Sequence, residues 1–176
     1  MRKKIPLVVL LLIVLALGCA GPKPKGDEGE YHTHTDFKVV LDGSAVDFNK
    51  AAYMETPYKA LSEKGHLHDF NPFVLHIEEK GGTLKDFFES IGMGLGSRCF
   101  SDGNRDYCAG NGKSLIMYVN GAQNAEFEKY EPKDLDRILV YYGQGEPGKE
   151  MLDSVTSQAC IYSEKCPAPE GFVLPQ

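Results

Sequence analysis

In 176 residues the chain has no tryptophan, only five histidines and five cysteines, and no apolar run long enough to cross a bilayer. Each shortage excludes something. There is no HExxH, no G-x-S-x-G and no P-loop glycine pattern, so the local motifs of zinc hydrolases, serine hydrolases and phosphate-binding loops are missing. No C-x-x-C occurs either, which argues against thiol–disulfide exchange, since that chemistry wants two close sulfurs and a lowered thiolate pKa. Basic residues are the minority, 19 Lys and Arg against 25 Asp and Glu, for a formal net charge of −6. Such a surface repels nucleic acid and anionic headgroups but attracts cations.

The longest apolar run is Ile5 to Leu17, "IPLVVLLLIVLAL", 13 residues behind a basic "MRKK". A spanning helix needs about 20, so the run reads as the core of a signal peptide over residues 1–18. It ends at Ala16-Leu17-Gly18-Cys19, which resembles a lipobox and implies a lipid on Cys19. Removing residues 1–18 takes Arg2, Lys3 and Lys4 and no acid, leaving 16 basic side chains against 25 acidic, about −9. Residues 19–30, "CAGPKPKGDEGE", are Gly, Pro and charge with no large aliphatic side chain, the composition of a tether. The expectation is an exported lipoprotein held by this lipid on the outer face of the cell membrane.

In that oxidising setting the other four cysteines are expected as disulfides. Three pairings exist. Cys99 with Cys108 and Cys160 with Cys166 close two short loops and form the simplest set, one that staples loops rather than doing chemistry.

About 155 residues remain, enough for one domain with a real core. Residues 31–143 read as that domain and 144–176 as a disulfide-bearing tail packed on it. "FKVVLDG" followed by "SAVDF" reads as a hairpin about Asp42-Gly43. "GHLHDFNPFVLHIEEKGG" reads as a second hairpin about Asn71-Pro72, a register that sets His66 opposite His76. Leu84, Phe87, Phe88, Ile91 and Leu95 recur at helical spacing behind Thr83 as N-cap, with Asp86 at the capping-box position, and Gly92, Gly94 and Gly96 end the helix. "SLIMYVNG" and "DLDRILVYYG" read as further strands.

A first hairpin, one main helix, then strands ending in "RILVYYG" resembles a β-grasp, the ubiquitin-like plan, over roughly residues 37–143. The fold class expected is therefore α+β: a mixed sheet packed on one helix, with an inserted His-rich hairpin and disulfide-stapled loops. Fold alone does not assign function. With "HxHxDF", the later His-rich stretch, "TLKDFFESIGM", "YVNG" and the export signal, the whole chain is also similar to a group of exported archaeal and bacterial lipoproteins. That resemblance implies a location and a pattern, not an activity.

All five histidines fall in "HTHTDF", "HLHDF" and the nearby His76. On a strand, residues i and i+2 share a face with Cα atoms about 6.5 to 7 Å apart, close enough for two imidazoles to converge on one ion with bonds of about 2.0 to 2.1 Å. His32, His34, His66, His68 and His76, with Asp36 and Asp69 beside them, are the candidate metal-site residues. Imidazole-rich sites suit copper, zinc, nickel or iron rather than calcium or magnesium, and copper or zinc is the cofactor expected. Seven candidates exceed what one tetrahedral ion needs, so there are two ions or some groups stand behind the ligands.

Three functions follow. The first is a membrane-tethered metal-binding module for capture, delivery or buffering, with no catalytic residues assigned. A second is a His-ligated metalloenzyme with Asp36, Asp69 or Glu78 as base, although the glutamate that follows a cupin His-x-His is replaced here by the Asn71-Pro72 neighbourhood. The third is a surface interaction protein whose histidines tune a pH response.

Overall fold

The computed structural model describes residues 31–172. Residues 1–30, with the signal peptide, Cys19 and the tether, lie outside them, as do residues 173–176. No helix among the described residues is long and apolar enough to cross a membrane.

The domain is α+β and dominated by sheet. Strands β1 (Thr33–Leu41), β2 (Ser44–Ala45), β3 (Val74–Ile77), β7 (Lys113–Val119), β8 (Ala122–Asn124) and β9 (Arg137–Gln144) form one sheet, in the order β2-β1-β9-β7-β8. β1 and β9 run parallel at its centre, and the other pairs are antiparallel. Nine residues make β1 long enough to hold two partners on its outer edge, β3 along Thr33–Asp36 and β2 along Val40 and Leu41. The hairpin turns carry Asp42, Gly43, Asn120 and Gly121 at φ of 51, 82, 52 and 81°, the left-handed pairs that a two-residue reverse turn requires. A second small sheet joins β4 (Gly94–Leu95), β5 (Cys99–Ser101) and β6 (Asp106–Cys108).

Helix α1 (Leu84–Ser90) begins at a full capping box between Thr83 and Asp86. It buries Leu84, Phe87 and Phe88 against Phe37, Val39 and Leu41 of β1. Leu95, expected on the same helical stripe, instead sits in β4, because Gly92 turns the chain at φ 77° and stops the helix first. The opposite face of the sheet is covered too: Val40, Tyr118 and Leu139 pack under Val155, with Met151 and Leu152 of helix α2 (Lys149–Asp153) alongside. Coverage on both faces explains why β1 is buried almost continuously rather than at alternate residues.

Two neighbours in the central parallel register, Asp36 and Arg137, pin the tail. The Asp36 carboxylate accepts the Gln158 and Ala159 N–H groups at 2.8 and 2.9 Å and the Thr156 hydroxyl, at the start of helix α3 (Ala159–Tyr162). Arg137 donates to the Asp153, Val155 and Thr156 carbonyls. Opposite charges thus hold opposite ends of the peptide groups in one segment. Both short disulfides are formed, Cys99–Cys108 across β5 and β6 and Cys160–Cys166 around α3.

The expected His-rich hairpin is only half a hairpin. β3 is a regular strand, but its ladder is with β1, while the segment around His66 meets it through a single bridge, His66 to His76. Asp69 and Phe70 both adopt left-handed φ, 61 and 54°, and so swing the chain off the strand path before Asn71 closes the turn on the Phe73 N–H.

Candidate metal centre

Strand register assembles the histidines. His34 of β1 lies opposite His76 of β3, and His76 exchanges both backbone hydrogen bonds with His66 at 3.0 Å. Three chain segments therefore set His34, His76 and His66 side by side, while the two-residue repeat brings His32 beside His34 and His68 beside His66. Ring centroids step from His32 to His34 (4.4 Å), His34 to His76 (4.6 Å) and His76 to His68 (3.6 Å). One ring nitrogen each from His32, His34 and His76 lies within 4.8 Å of the other two, a group that could hold a metal ion.

Hydrogen bonds fix where the protons are. The Ser163 hydroxyl donates its only hydrogen to Asp134 Oδ1 at 2.5 Å, so at its 2.8 Å contact with His34 Nδ1 it must accept. His34 is thereby protonated at Nδ1 and bare at Nε2. A carboxylate only accepts, so the contact between His68 Nδ1 and Asp69 Oδ2 places a proton on His68 Nδ1 and leaves its Nε2 bare. That bare nitrogen lies 2.8 Å from His76 Nδ1, which must donate to it. His76 Nε2 is left with a lone pair, buried and with no hydrogen-bond partner.

An orphaned buried nitrogen costs roughly 1 to 3 kcal/mol; a cation would satisfy it. Each buried imidazole of the triad is also backed by a carboxylate one group away, His34 through Ser163 to Asp134 and His76 through His68 to Asp69. Outer carboxylates of this kind orient ligand imidazoles and raise their basicity. Asp134 also accepts the His34 N–H at 3.0 Å and the Lys165 ammonium at 2.5 Å. Burial works against its charge, but the bonds from Lys165, Ser163 and His34 hold its carboxyl below the usual range. Burial, reinforced by His32, pushes His34 down to about 4, and burial with His68 and His34 pushes His76 much further down. Both are neutral at pH 7, so a metal ion need displace no proton from either.

The sequence candidates separate into distinct places. His32, His34 and His76 form the triad. His68 and Asp69 stand behind His76 as orienting groups. His66 is buried and turns Nδ1 to the Ser62 carbonyl at 3.1 Å, outside the triad. Asp36, named as a candidate ligand, is instead committed to the tail: its oxygens already receive Thr156, Gln158 and Ala159. Glu78 Oε1 is 3.5 Å from His32 Nε2.

Three contributors escaped the sequence reading: Asp134, Tyr162 and Ser163. The Tyr162 ring stands edge-on to His76 at 5.0 Å between centroids. Tyr162 and Ser163 both lie inside the Cys160–Cys166 ring, and "IYSEK" between two cysteines was the only local sign of them. No family model, curated protein or solved structure matches the chain.

Proposed function

We propose that this protein is a metal-binding module that takes a copper or zinc ion at His32, His34 and His76, and serves capture, delivery or buffering outside the cell. The observation that carries the reading is His76 Nε2, a buried lone pair without a partner in the middle of the His cluster. Three imidazole donors suit either metal. The two disulfides fit an oxidising compartment, and the reading includes a signal peptide over 1–18, lipid at Cys19 and a tether to residue 30. The strand order, with a parallel central pair and flanking hairpins, supports the β-grasp-like plan.

The test is a soluble form without a His-tag, dialysed after titration with copper or zinc and weighed for bound metal by mass spectrometry. One equivalent should be retained, and lost in a His34→Ala, His76→Ala double variant whose circular dichroism is unchanged. Full retention by that variant would sink the assignment.

A further inference from the structure

Three imidazoles leave a tetrahedral ion one ligand short, and strand register sets one carboxylate in line for the fourth place. The Phe37 N–H donates to the Phe73 carbonyl at 3.0 Å, so the odd-numbered residues of β1 make the hydrogen bonds to β3. His34 and His76 lie opposite each other and are therefore a non-hydrogen-bonded pair, the kind whose Cα atoms come to about 4.5 Å and whose side chains approach closest. The next such pair in the same register is His32 with Glu78. Its side chains meet, with Glu78 Oε1 3.5 Å from His32 Nε2. Residues two apart on a strand share a face, so His32 and His34 on one strand and His76 and Glu78 on the other form a block of three imidazoles and one carboxylate.

Glu78 is also the carboxylate that other groups have left uncommitted. Asp134 receives Ser163, Lys165 and the His34 N–H, Asp69 receives His68, Asp36 receives the tail and Glu55 receives the Leu61 N–H. The Glu78 side chain is 37% exposed and, among the described residues, touches only His32 with its carboxylate. Its oxygens lie outside the group formed by the three nitrogens, at the edge of a cleft shared with Glu55, His66 and His68, so the side chain has room to swing. Glu164 borders the cleft beside His32 and His34, but it stands on the tail, off the β1–β3 pair.

We propose that Glu78 closes on the ion as a fourth ligand, making a three-histidine, one-glutamate centre that prefers a divalent ion such as zinc to copper(I). The inference rests on the metal-binding reading above and adds to it a ligand and a choice of metal. A carboxylate oxygen bonded at about 2.0 to 2.2 Å puts negative charge directly on the ion, where Asp134 and Asp69 act through Ser163 and His68. That charge offsets the cost of holding a doubly charged ion among buried neutral imidazoles, and a singly charged ion gains less from it.

Zinc and copper(I) are the probes, each measured by competition with a chromophoric chelator. Glu78→Gln should raise the zinc dissociation constant by about tenfold or more, at least the effect of losing an orienting group, and leave copper(I) affinity nearly unchanged. The visible bands of bound cobalt(II), which report coordination directly, should change in the same variant. Undiminished zinc affinity would overturn the fourth ligand while leaving the three-histidine site standing. Weaker zinc binding with cobalt bands identical to wild type would make Glu78 a positioning residue for His32, which also overturns the proposal. Equal losses for zinc and copper(I) would overturn the choice of metal, and a loss seen in Glu164→Gln instead would give the fourth place to the tail. A wild type that binds neither zinc nor copper(I) would remove the metal reading and this one with it.

Discussion

Ser163 makes its two hydrogen bonds in a fixed direction, receiving from His34 and giving to Asp134, and this polarity decides which His34 nitrogen is bare. Ser163→Ala should therefore weaken metal affinity about ten- to a hundredfold, as loss of an orienting group typically does. Competition with a chromophoric chelator measures it; an unchanged constant would reduce Ser163 to packing. Proton binding gives a second expectation for the metal-free protein. His34 titrates near 4 in the folded chain and near 6.5 in the unfolded one, and His76 is depressed further. Below pH 6.5 the unfolded chain takes up protons that the native state refuses, so stability is complete above about 6.5 and falls as the pH drops toward 4 and beyond. Urea unfolding at pH 7.5 and 4.5 should show the difference, and His34→Gln with His76→Gln should flatten much of it. A profile with the same slope in that double variant would assign the acid sensitivity to carboxylates instead.

Among the elements, the short ring closed by Cys160–Cys166 has the largest reach for its size, because Tyr162, Ser163 and Lys165 all lie inside it. Cys160→Ser with Cys166→Ser should leave the sheet intact but loosen the contact of Ser163 with His34, lowering metal affinity; a double variant that binds as tightly as wild type would show that Asp36 and Arg137 hold the tail well enough alone. The arm that carries His66 depends on Gly65, where a Cβ would lie 2.9 Å from the Phe87 Cβ. Gly65→Ala should cost about 1 to 3 kcal/mol of stability through this crowding, measured as a shift of the denaturant midpoint. The Asp42-Gly43 and Asn120-Gly121 turns, the Thr83 cap and the His66–His76 pairing are all local enough to be legible from the chain. The pairing of β3 with β1 was not, because nothing in "VLHI" states which edge it will find. Asp134 and Ser163 were beyond reach for the same reason: their meaning comes from tertiary neighbours 100 and 129 residues away from them.

Across the whole molecule, β1 ties the apolar core on one face of the sheet to the tail on the other. One face of β1 makes the apolar core with α1; the other presents His34 and Asp36 to the tail, one toward an ion and one toward the α3 backbone. Asp36 looks like a ligand in "HTHTDF" only because the same two-residue repeat places it on the face of His34. Metal binding should therefore stabilise the sheet and tail together, by about 2.7 kcal/mol at a hundredfold excess over the dissociation constant. Hydrogen exchange should show the added protection in β1, β3 and residues 156–164 alike; protection confined to β1 and β3 would mean that the tail is a bystander.

The sequence separation of 129 between His34 and Ser163 also sets an order of events. A ribosome releases the first strand long before the segment that fixes its histidine's proton, and contacts so remote in sequence form late in folding. High-affinity loading is thus expected to follow folding rather than to drive it, unlike the small zinc domains that are unfolded without their ion. Refolding rates should then be indifferent to added metal while unfolding slows, so that a tightly held ion would certify a finished chain.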